Sequence, residues 1–79
     1  MKDMSIIDIK NTIKHEIERH GNVDVVINNV QVTPANNQLY VIVDASYAWY
    51  LHGSRKKVHN PDMRFISTDD NGWEYIGFL

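Results

Sequence analysis

Cysteine is absent from this 79-residue sequence, which excludes a disulfide framework, a thiolate metal site and a cysteine nucleophile. Stability then has to come from packing, and a chain of this length buries only about two-thirds of the surface its unfolded form exposes. No apolar run approaches the roughly 20 residues needed to cross a bilayer, and the first residues enter a charged helical pattern without an apolar signal core. A cytoplasmic protein with no membrane contact is expected. A large excess of either charge is also missing. At a net charge of −2 the chain is neither basic, as a general nucleic-acid binder usually is, nor as acidic as a nucleic-acid mimic. No polar tract is long enough to read as disordered, so residues 1–79 form a single domain.

Catalytic signatures are lacking as well. No HExxH, P-loop or GxSxG pattern occurs, and the serines fall in a helix cap, a strand and turns. Of the four histidines, His15 and His20 lie five residues apart on a predicted helix. That spacing turns them about 140° from each other and prevents a shared ion. His52 and His59 could approach Asp62, but two histidines beside basic residues make a poor metal site. Asp69 and Asp70 read as turn formers rather than paired catalytic acids. The expectation is a protein that is not an enzyme and needs no cofactor or metal.

What the sequence does contain is patterned. Ser5 with Asp8 three residues later resembles a capping box, and Ile6, Ile9, Ile13 and Ile17 then repeat at helical spacing. The spacing predicts an amphipathic helix over 5–20, with Gly21 as its left-handed C-terminal cap. Residues 22–33 read as a strand whose apolar phase slips at Asn28-Asn29. A β-bulge there would return Val23, Val25, Ile27, Val30 and Val32 to one side. Pro34 to Asn37 reads as a turn.

Residues 38–51 alternate over fourteen positions, with Val41, Val43, Ala45, Tyr47, Trp49 and Leu51 on a core face. Tyr40, Ile42, Asp44, Ser46, Ala48 and Tyr50 take the outer face. The rival reading stops the strand at Asp44 and makes that residue the N-cap of a short helix closed by Gly53. Residues 53–61 read as a loop carrying Arg55, Lys56 and Lys57, and 63–68 as a third strand. A two-residue Asn71-Gly72 turn would set Asp69 against Glu74, so a four-residue turn over 69–72 is preferred before a last strand over 73–79. Either turn places Met63, Phe65, Ile76 and Phe78 inward and Ile66, Thr68, Trp73 and Tyr75 outward.

The predicted class is α+β, one N-terminal amphipathic helix packed on a four-stranded antiparallel sheet, an αββββ meander. This order is similar to that of cystatin-like and other small α+β folds, a likeness of topology that transfers no functional residue.

With chemistry lacking, surface recognition is the expected role. Tyr40, Tyr50, Trp73 and Tyr75 would form an aromatic outer face near Arg55, Lys56 and Lys57. Such a surface suits a protein-binding module that regulates or inhibits another protein. The alternative is single-stranded nucleic acid, gripped by the 53–61 cations and stacked on the aromatics. An open final strand with Glu74 as its one charged side chain also predicts a homodimer.

Overall fold

The structure is a computed structural model that describes residues 5–70 and 72–77. Helix α1 (Ile6–Arg19) is followed by strands β1 (Val23–Ala35), β2 (Gln38–Leu51), β3 (Ser54–Ser67) and β4 (Trp73–Gly77). The strands form one antiparallel sheet in the order β1-β2-β3-β4, the meander that the pattern predicts.

α1 starts where Ser5 accepts the Asp8 backbone N–H on its Oγ at 3.1 Å, satisfying a donor that has no partner in the helix. It ends at His20, and Gly21 follows at φ +90°, its N–H donating to the Glu18 carbonyl at 3.0 Å. Ile9, Ile13 and Ile17 are buried on the sheet side, whereas Ile6, in the exposed first turn, is not. Beneath them lie Val25, Val41, Val43, Ala45, Met63, Phe65 and Trp73, and the part-buried Ile27, Val30, Val32, Leu39 and Tyr47 pack around this centre.

The bulge at Asn28 is present. Ile27 pairs with Ala45 and Asn29 with Asp44, so Asn28 has no opposite residue. The extra residue brings Val25, Ile27, Val30 and Val32 to the helix side. Val23 does not join them, because a second irregularity around Asp24, at φ 54°, pairs it with Ala48 on the opposite face. The first turn is shorter than its sequence suggests. Pro34 and Ala35 stay in the edge strand, and only Asn36 and Asn37, both at positive φ, make the hairpin.

β2 runs unbroken to Leu51, which rules out the short helix after Asp44. The predicted loop over 53–61 is strand as well. His52 and Gly53, at φ 50° and 81°, form a two-residue turn, and β3 pairs at once from Ser54 opposite Leu51. The Gly, Ser, Asn and Pro that suggested a loop fall at the turn and at a bulge. Val43 pairs with Met63 and Ala45 with Asn60, so Pro61 and Asp62 together face Asp44, and proline sits where the ladder is already interrupted.

The last turn shifts the faces of β4. Ser67 pairs with Trp73, leaving five residues between them rather than four, and the Thr68 N–H closes the turn onto the Gly72 carbonyl at 3.0 Å. Asp70 shapes it by accepting the Thr68 hydroxyl and the Gly72 N–H. A one-residue change of register exchanges the two faces of a strand. Trp73 therefore points inward, is buried, and donates its indole N–H to Thr12 Oγ1 on α1 at 2.8 Å. Ile76, predicted inward, is exposed, and Phe78 lies outside the described residues.

Truncating Ile13, fully buried at the helix–sheet contact, should cost about 2–5 kcal/mol by chemical denaturation. Ile6→Ala should change stability by no more than about 0.5 kcal/mol.

Candidate protein-binding surface

The helix is too short for the sheet it covers. Fourteen residues of α1 rise about 21 Å, while the fourteen residues of β2 extend about 46 Å. The molecule is accordingly elongated, at 42 × 22 × 21 Å. β1 joins the sheet opposite Ala48, so residues 49–56 project as a two-stranded arm with neither the helix nor β1 beside them.

The arm continues the core face without its cover. Along β2 the inward row runs Val41, Val43, Ala45, Tyr47, Trp49 and Leu51, as the alternation predicts. Its first three members are buried, Tyr47 is part-buried, and Trp49 and Leu51 are 37% and 45% exposed. The alternation assigns a face, but only the reach of the helix decides which members of the row are sealed. Lys56 pairs with Trp49 and shares this side of the arm. Toward the body the same side descends into a groove of about 270 Å³ between the C-terminal turn of α1 and the sheet, where Ile17, Tyr47, Met63, Phe65 and Tyr75 meet Glu16 and His20.

The four aromatics expected to form one outer platform are separated. Tyr40 pairs with Ile66 on the outer face of the body, and Tyr50 pairs with Arg55 on the outer face of the arm. Trp73 is buried under the helix. Tyr75 lies on the helix side opposite Phe65, their ring centroids 5.4 Å apart. Burial raises the Tyr75 phenol above its ordinary value, with Tyr47 nearby adding to the shift and a hydrogen bond from Asn60 opposing it. The tyrosine that does adjoin Tyr75 is thus Tyr47, read from the sequence as core.

The three cations do stand together, on a strand instead of a loop, and they are not equivalent. Arg55 donates to Asp24 on β1 at 2.6 Å, reaching across β2 on the outer face. Ala48, which pairs with Val23 on one side and Lys57 on the other, is buried although it lies on the outer side. Lys56 and Lys57 have no acidic partner among the described residues. As consecutive strand residues they point to opposite faces of the arm.

A polar network marks where the arm joins the body. His59 contacts Asp44 Oδ1 through Nε2 at 2.7 Å, and Asn28 donates to the same oxygen at 3.2 Å and to Ser46 Oγ at 3.1 Å. The bulged asparagine is thereby tied to β2 and, through Asp44, to β3. His59 does not approach Asp62, which binds Arg64 instead, and His15 and His20 contact Glu18 and Glu16 separately. Among the described residues no three His, Asp or Glu side chains gather into a metal-binding group, and no helix is long and apolar enough to cross a membrane.

No family model, curated protein or solved structure matches the chain.

The hydrogen bond from His59, supported by the one from Asn28, holds the Asp44 carboxyl below its ordinary value. A carboxyl lowered in the folded state contributes stability that is present above its unfolded pKa and is lost as the pH falls through the lower, folded one. In a carbon-13 titration, Asp44 should protonate at lower pH than an unpaired aspartate. His59→Ala should move that midpoint upward, and an unchanged midpoint would exclude the contact as the cause.

Proposed function

We propose that this chain is a non-enzymatic protein-binding module, a regulator or inhibitor of another protein, and that it binds through the helix-side face of the β2–β3 arm. One observation carries the reading. Trp49 and Leu51 prolong the core row beyond the helix and stay exposed beside Lys56. Tryptophan and tyrosine are the side chains from which compact binding surfaces draw most of their energy, and a row already aligned with the core loses little conformational freedom when it is covered. Lys56 gives the partner's chemistry, an apolar surface bordered by a carboxylate.

The charge distribution favours a protein over a nucleic acid. Arg55, Lys56 and Lys57 supply three of the eight basic residues, leaving five in the rest of the chain against ten acids. A polyanion longer than the arm would meet an acidic body. Tyr40, Tyr50, Trp73 and Tyr75, divided between the two faces and the core, do not form the aromatic platform expected for stacked bases. A titration with labelled single strands at low salt is expected to show no salt-sensitive binding.

Affinity capture from a cell extract should recover one dominant protein, and the Trp49→Ala, Leu51→Ala double variant should retain it at least tenfold less well. Both side chains lie outside the sealed core, so the variant should remain folded, each change costing less than about 1 kcal/mol. Undiminished capture by the variant, or no specific partner at all, would remove this reading.

A further inference from the structure

β3 has two edges, and one of them is largely bare. On one side it pairs with β2 from Ser54 to Ile66. On the other it pairs with β4 only over residues 64–67. Among the described residues no strand pairs with the outer edge of 54–60.

The tight turn determines which backbone groups this edge presents. A two-residue hairpin turn makes its flanking residues, Leu51 and Ser54, a hydrogen-bonded pair, and the antiparallel ladder alternates from there. Ser54, Lys56 and Val58 direct their N–H and C=O groups to β2, while Arg55, Lys57 and His59 direct theirs outward. An open row of this kind is a template for another strand, and positive charge along it discourages the wrong ones. Self-pairing is the arrangement it resists. Two copies in antiparallel register about this segment would bring Lys57 against Lys57, with further cations alongside.

We infer that the outer edge of β3 accepts an acidic extended segment of the partner protein as a fifth strand. The inference rests on the protein-binding reading above and deepens it. The two faces of the edge specify the pattern of that segment. On the outer face it would meet Lys57, which has no acidic partner among the described residues and calls for an acidic side chain opposite it, between Arg55 and His59, which Asp24 and Asp44 already engage. On the helix side it would meet Val58 and the stem of Lys56, next to Trp49, which call for apolar residues flanking that acid. Main-chain hydrogen bonds would hold the strand, and the alternation of acidic and apolar groups would select it.

The test uses the full chain, labelled with nitrogen-15, and a capped eight-residue peptide of alternating glutamate and valine. Binding should slow amide hydrogen exchange at Arg55, Lys57 and His59 by tenfold or more and should weaken as salt is raised. The same peptide N-methylated on alternate residues, and a lysine–valine counterpart, should give no protection. Lys57→Pro, which removes an outward N–H and leaves the β2 ladder intact, should abolish the effect, whereas Lys57→Ala should only reduce it about threefold. Equal protection by the N-methylated peptide, or none by the glutamate peptide, would overturn the proposal. So would slow exchange at these amides without peptide in a species of doubled mass, since a second copy would then occupy the edge. If Lys57→Pro captures the cellular partner normally while the Trp49→Ala, Leu51→Ala variant does not, the edge strand fails and the binding module stands. Loss of both readings requires that no partner depends on either surface.

Discussion

The mismatch in length between one helix and the strands beneath it governs this molecule. An α-helix rises less than half as far per residue as a strand, so fourteen helical residues cannot roof fourteen strand residues. Ile9, Ile13 and Ile17 seal the part they reach, and there the packing is complete enough to bury Val43 and Ala45 fully. Beyond the last turn of the helix the same apolar row continues into solvent. The exposed arm is what an ordinary core face becomes when its second layer ends early.

Local irregularities in the strands decide how that row is presented. The extra residue at Asn28 keeps β1 in phase with the core, and its side chain ties the bulge to Asp44 and Ser46. Pro61 and Asp62 interrupt β3 just where the arm leaves the body, opposite the same Asp44. Bulges bend a strand and increase its twist, and two of them meeting at one residue make the base of the arm a defined junction. The His59 contact on Asp44 and the Arg55–Asp24 pair then link β3 to its neighbours on the outer face. Each pair is exposed and modest alone, but together they connect all three strands at the junction.

Charge follows the same division. All ten acidic residues lie outside the arm, while Arg55, Lys56 and Lys57 follow one another on a strand whose outer edge has no pairing partner there among the described residues. Lysine on an open edge disfavours pairing with an identical edge through like-charge repulsion.

The residues by themselves determined the class, the order of elements and most of the core, because helix and strand periodicities are local properties of side-chain spacing. The isoleucine spacing locates α1, the alternation over 38–51 gives β2 and its inward row, and the phase slip at Asn28-Asn29 identifies a bulge. Positions 53–61 were not legible as strand, since their turn-forming residues mark a two-residue turn and a bulge that make sense only once β2 lies alongside. Nor was the register of β4. A single residue in the 68–72 turn exchanges its faces, and the hydrogen bond from Trp73 to Thr12 joins groups 61 positions apart. The candidate surface was half visible. Arg55, Lys56 and Lys57 stood out as a cluster and Tyr75 as a surface aromatic, whereas Trp49, Leu51 and Tyr47 read as core. Alternation states which side of a sheet a residue occupies, but only the tertiary structure decides whether anything lies on top of it, because cover depends on where a separate element ends.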